Sequence, residues 1–247
     1  MKSRSKAKFT ELLAYKAKTL PGRITIVFAV LIGSPIFNFG ANDLAQASNV
    51  EIEDQVDRQP QITGFRSAQF GMLESQTFNA IQEDFQLQPA KISTQSNEED
   101  RTSSLVATIE EIFPDSDPAQ VVYIHGYKQK KLIQINIVWG SPVTDEVDPQ
   151  KLVTTAKILG KYFNQLGFDP ANTVRNHRVN DNIFIVFRAT DQQGRMVLLQ
   201  LFSRKVPIAE TEDGDLLEPK FRIVSLMLSY IENVDNPDIF EIEKGAF

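Results

Sequence analysis

The 247-residue chain has no Cys, two His and one Trp, with 26 basic against 32 acidic side chains and a net charge of −6. Without cysteine there is no thiol nucleophile, no thiolate metal site, no lipidated cysteine and no disulfide, so the hydrophobic core alone must hold the fold. The acidic balance argues against general binding to nucleic acid or anionic lipid, whose phosphates reward Lys and Arg.

The chain opens on a basic leader (Lys2, Arg4, Lys6, Lys8, Lys16, Lys18 and Arg23, with the single acid Glu11). An apolar run from Ile24 to Ile32 follows, then small residues ending in Ala45-Gln46-Ala47. A basic segment, a short apolar core and an A-x-A site are the three parts of a secretory signal. Residues 1–47 are therefore expected to direct export, with cleavage after Ala47. Gly33, Ser34 and Pro35 break the run well short of the about 20 apolar residues a spanning helix needs. Retention as an uncleaved anchor is the alternative, and only then would a membrane be a partner. Beyond Ser48 the net charge is −11, because seven of the 26 basic residues but two of the 32 acidic ones precede it. The expected location is the periplasm.

Residues 48–61 are polar and acidic without a period and read as a flexible linker. Structure is expected from Ile62 onward. Phe78, Ile81 and Phe85 share one face at helical spacing, predicting a helix over 73–85. Residues 92–103 are polar and read as loop. Strand-like runs follow at 104–113, 121–127 and 132–139, the last alternating Ile133, Ile135, Ile137 and Trp139 with Gln134 and Asn136. Asp148 as N-cap, Pro149 at the first turn and Gly167 as stop bracket a second helix, with Leu152, Ala156, Leu159, Phe163 and Leu166 on one stripe. Three more strands are expected at 182–190, 195–203 and 221–230. The tail from Asn236 ends in an aromatic and is expected to tuck under the second half.

The predicted fold class is α+β. Two tandem units, 62–142 and 148–247, each carry one helix packed on a three-stranded or slightly larger antiparallel sheet. In the second unit, Ile183, Ile185 and Phe187 alternate with Phe184 and Val186, so both faces of that sheet need cover. The other unit, the tail or a partner protein would supply it.

The entry Phe70-Gly71-Met72, followed by Glu74 and Ile81, is similar to the glycine-hydrophobic-polar helix start of the beta-lactamase-inhibitor-protein architecture. That architecture has tandem helix-plus-sheet units. One such unit resembles the small lipoprotein of the outer-membrane barrel-assembly machinery, whose lipidated Cys this chain lacks. The stretches GFRSAQFGM and GYKQKKLIQINIVWG also resemble a group of uncharacterised exported bacterial proteins. The resemblance covers about residues 62–142. It implies binding to another protein across an open sheet face, without catalysis.

Chemistry-bearing motifs are few. G-x-S-x-G, S-x-x-K, H-E-x-x-H and phosphate-binding glycine loops do not occur. His125 and His177 are the only histidines available to a hydrolase. Glu212, Asp213 and Asp215, with Glu210, surround Gly214 in an oxygen-rich loop that suits Ca²⁺, although a solvated hairpin loop is the more ordinary reading. No cofactor and no nucleic acid are expected. The binding-surface candidates are Tyr123, His125, Tyr127, Gln134 and Asn136. If Val122 and Ile124 face the helix, these five share the outward sheet face, where Tyr combines contact area with a hydrogen-bonding tip. The expected function is a non-catalytic, protein-binding or envelope-assembly module with a partner in the cell envelope. The alternative is a small-ligand (lipid or metabolite) binding protein, with a pocket between helix and sheet lined by Phe and Tyr.

Overall fold

The Ile and polar alternation of residues 132–140 becomes the spine of one large sheet. A computed structural model describes residues 59–206 and 220–242, together with Gly245, and all of these belong to one compact unit. In chain order the elements are β1 (Gly64–Phe65), β2 (Ala68–Gln69), α1 (Glu74–Phe85), β3 (Ile92–Asn97), β4 (Thr102–Ile109), β5 (Ala119–His125) and β6 (Leu132–Gly140). Then come α2 (Pro149–Gln165), β7 (Thr173–Arg178), β8 (Ile183–Thr190), β9 (Met196–Val206) and β10 (Lys220–Ile231). The fold is α+β. An eight-stranded antiparallel sheet runs β3-β4-β5-β6-β10-β9-β8-β7, and β1–β2 form a small separate hairpin.

A helix followed by four strands occurs twice in this order. The two meanders join edge to edge where β6 pairs with β10, Ile137 opposite Leu228 and Trp139 opposite Leu226. They do not stack face to face, so neither half covers the other's sheet. Each half also has one more strand than the periodicity indicated. Residues 92–97 and 173–178 lack an apolar period because they form the two outer edges of the sheet, where most side chains are exposed. Polar edge strands resist pairing with other chains.

Side-chain alternation sorts the sheet into two faces. Leu105, Val121, Tyr123, Ile135, Ile137, Trp139, Leu226, Leu228, Val197, Leu199 and Phe187 share one core with both helices. In β8 the register shifts between Ile185 and Phe187. This bulge lets Val186 and Phe187 both approach α2. Phe187 stacks on Phe163 at 5.5 Å, and a Cβ on Gly160 would lie 3.2 Å from the Val186 side chain. Strict alternation therefore mis-assigns this strand, because a bulge moves one residue across the sheet.

The helices start for different reasons. Leu73 offers no capping side chain, so Gln76 Oε1 reaches back to accept the Leu73 N–H at 2.9 Å. Asp148 caps α2 directly, accepting the Gln150 N–H at 2.8 Å, with Pro149 following. Such a cap is worth about 1 kcal/mol. Gly64 is required by close approach, since a Cβ there would lie 2.1 Å from the Ala68 carbonyl oxygen at a φ of +147°. Asp191, at the β8–β9 turn, accepts the N–H groups of Gln193 and Arg195 on Oδ1 and that of Ile62 on Oδ2, all at 2.9 Å. It thereby ties the segment at Ile62 to the β8–β9 turn.

The tail docks on the first half rather than under the second. Asp238 accepts the backbone N–H groups of Lys128 and Gln129, and its carbonyl accepts that of Tyr127. Phe240 packs edge-on against Tyr127 and under the Arg101 guanidinium. Gly126 permits this, because a Cβ there would fall 2.4 Å from the Asp238 carboxylate. The terminal aromatic Phe247 lies outside the described residues.

Candidate functional site

Tyr123 and His125 were expected on the outward face, but both lie beneath α1 with no exposed surface. The register is the reverse of the expected one. Val122 and Ile124 point away from the helices, and alternation along β5 puts His125 on the same side as Tyr123; the register shift beside it bulges Ile133 of β6. Gln134 and Asn136 do face away from the helices, paired with Ile124 and Val122, yet they too are buried, and Gln134 Nε2 donates to Asn136 Oδ1 at 2.8 Å. Tyr127 is half-buried against Phe240 and Arg101. The five candidates therefore split between two faces and make no single open surface.

His125 shows why its neighbourhood is structural. The Thr77 hydroxyl donates to the Leu73 carbonyl at 3.2 Å, so it can only accept from His125 Nε2, 3.0 Å away. That assigns the proton to Nε2 and leaves the basic lone pair on Nδ1, aimed away from the hydroxyl. Burial holds the imidazole below the usual histidine range, against a smaller opposite pull from Glu74. A fully buried base whose lone pair points away from the Thr77 hydroxyl cannot activate that hydroxyl toward a substrate. His177 is exposed on edge strand β7. Glu210, Glu212, Asp213 and Asp215 lie outside the described residues. Among the described residues no cluster of His, Asp and Glu is arranged to hold a metal ion.

The concavity that stands out was expected only in general terms. A cavity of about 550 Å³ lies between α2, the β1 strand and the centre of the sheet. Its floor is Ile137, Trp139, Val197, Leu228 and Tyr230, and α2 contributes Leu159 and Phe163. Ile62, Phe65, Ile112 and Phe113 form the opposite wall. The volume falls in the range of small-molecule sites, roughly 300–1,000 Å³.

The polar groups here are few. Arg66 is the only charged side chain in the lining. Its guanidinium donates to the carbonyls of Asp84 and Ile112, both at 2.9 Å, and sits 4.3 Å from the Phe85 ring centre. It straps the end of α1 to the loop carrying Phe113 and so holds the wall in place. Trp139 is 1% exposed, and its Nε1 has no hydrogen-bond partner among the described residues. A buried donor left unsatisfied costs about 1–3 kcal/mol. Burial, with a smaller contribution from Tyr162, pushes the Tyr230 phenol up, so it stays neutral at physiological pH. The lining is thus predominantly apolar, with Arg66 as its one charged side chain and the Trp139 indole N–H buried.

The mouth is apolar as well. Ile158 and Tyr162, 50% and 54% exposed, line it from one edge of α2, and Leu166 continues that edge. The sequence did carry a signal for this site. Ile158, Tyr162 and Leu166 recur every four residues beside the core stripe, making α2 apolar over more of its circumference than one packing face needs.

A second cleft of about 740 Å³, between the end of α1 and β4, is lined by Asp84, Lys91, Glu110 and Glu111 and is more polar. No family model matches this chain, and no curated protein or solved structure matches it.

Proposed function

We propose that this protein is an exported, non-catalytic binding protein that takes a small, largely apolar ligand into the cavity beneath α2. The observation that carries the reading is a gap of about 550 Å³ lined mostly by aromatic and aliphatic side chains of α2, β1 and the sheet. The lining favours a largely apolar body, because Arg66, its one charged side chain, already donates to the carbonyls of Asp84 and Ile112. It suits an alkyl or aromatic body with few polar groups.

Trp139 is the only tryptophan, so intrinsic fluorescence reports this site alone. Titration with a soluble medium-chain fatty alcohol or ketone should shift and saturate the Trp139 emission. A linear or flat response across a set of apolar probes would sink the reading.

The tandem-unit reading of the architecture is supported by the recurrence of a helix followed by four strands, with β6 and β10 as the seam. Export with cleavage after Ala47 rests on the three-part leader, and the intact mass of the protein isolated from its cell envelope tests it. A second functional reading, protein binding through the sheet, keeps one support. Gln134, Gln200 and Ser229 share the face away from the helices, and each has a buried polar atom without a partner among the described residues. Crosslinking in the native envelope should capture one recurrent protein if that reading holds.

A further inference from the structure

We infer that the outer face of α2 docks on an anionic membrane surface, placing the cavity mouth where an apolar ligand can enter from the lipid. The geometry stands independently of the ligand reading, although the purpose assigned to it rests on that reading. At about 100° per residue, Ile158, Tyr162 and Leu166 form one stripe along the cavity mouth. Lys157 and Lys161 lie on the solvent side of that stripe, and both are exposed. Three apolar side chains of this size exposed side by side on one short helix make a patch that a water-facing helix does not need.

The charge pattern chooses the occupant. α2 carries Lys151, Lys157 and Lys161 and not one acid, in a chain that is acidic overall. The neighbouring acids are Asp148, which caps the helix, Asp117, which pairs with Lys151 at 2.8 Å, and Asp115, which lines a cleft with Ile158 at the N-terminal end of the stripe. Asp169, beyond its C-terminus, is turned to the Ala171 N–H. Arg175 of β7 adds a further cation beside Asn164. Basic residues next to Leu, Ile and aromatic side chains are the composition of helices that lie in a membrane interface. Each Lys near an anionic leaflet contributes about 1 kcal/mol. The net negative charge does not cancel this, because charges beyond a Debye length of about 10 Å are screened while the patch itself sits in contact. The outer face of α1 is the built-in contrast, with Glu74, Glu83 and Asp84 and no basic residue.

The absence of cysteine makes the test site-specific. Gln165→Cys and Glu83→Cys in the full chain, each labelled with an environment-sensitive fluorophore, place one probe on each helix. Phosphatidylcholine vesicles containing phosphatidylglycerol should blue-shift the label at 165 and leave that at 83 unchanged. Lys157→Glu with Lys161→Glu should weaken the response at 165 by roughly tenfold or more. The Trp139 response to a soluble probe without vesicles should stay the same, so failure of docking and failure of the cavity reading are separate results. No shift at 165, an equal shift at 83, or a shift that the lysine changes do not touch would overturn docking. A shift at 165 that grows with protein concentration in the absence of vesicles would also overturn it, in favour of self-association through this face.

Discussion

The two halves run the same order of elements, yet the space under their helices is used differently. Beneath α1 the gap is closed by Tyr123 and by the His125–Thr77 pair, all fully buried. Beside α2 a gap of about 550 Å³ remains, with Trp139, Leu228 and Tyr230 in its lining, and the helix edge at its mouth is apolar rather than polar. The hydrogen bond between His125 Nε2 and the Thr77 hydroxyl ties the first half to one packing. The second half is held by aromatic stacking, which tolerates a gap. The contrast teaches that a sheet and a helix can be sealed or left receptive without any change of topology.

Truncating the stacking that holds the second half should have the largest effect. Phe163→Ala removes a ring stacked on Phe187 and should cost about 3–5 kcal/mol in urea unfolding. Ile81→Ala beneath α1 should cost about 2–5 kcal/mol. If only Ile81→Ala abolishes the Trp139 response to ligand, the assignment of the cavity to α2 is wrong.

Asp191→Ala should come next, at about 3 kcal/mol, because three backbone N–H groups lose a charged acceptor together. Protease should then cut near Ile62 before the sheet unfolds. Cleavage elsewhere would show that Asp191 does not anchor the segment at Ile62.

Leu159→Trp fills the cavity from α2 and should weaken probe binding at least tenfold with little loss of stability. An unchanged affinity would move the ligand away from this gap. Asp148→Ala should cost about 1 kcal/mol through the lost cap. The equivalent Leu73→Ala change on α1 removes no cap and should cost less.

The smallest effect is the dependence on pH. The folded protein holds His125 below its ordinary value of 6.5, so in acid the unfolded chain takes up a proton that the folded one does not. Stability from this group is therefore full above about pH 6.5 and declines as the pH falls below it. His125→Leu should flatten that part of the urea-midpoint profile, whereas His177→Leu should leave it in place.

Periodicity sufficed for the buried elements and failed at the edges. Both helices and six of the eight strands of the large sheet could be read directly, since burial on one face forces alternation or a helical stripe. β3 and β7 could not, because edge strands answer to backbone pairing and to solvent rather than to a core. The faces of β5 and β8 were read wrongly or incompletely, since Tyr123 and Val122 are both acceptable on either side and a bulge leaves no mark in composition. A pocket between helix and sheet was anticipated as the alternative reading, but its place under α2 rather than α1 was not.

The chain by itself thus determined the secondary structure of its core, the α+β class and the absence of thiol chemistry, because propensity, capping and residue type act locally. Tertiary structure alone decided which face each strand shows, that two meanders merge through β6 and β10, and that Trp139 looks into a cavity. Those outcomes depend on register and on contacts between residues far apart in sequence. Many pairings are compatible with one hydrophobic pattern, and only the packing of all of them together selects one.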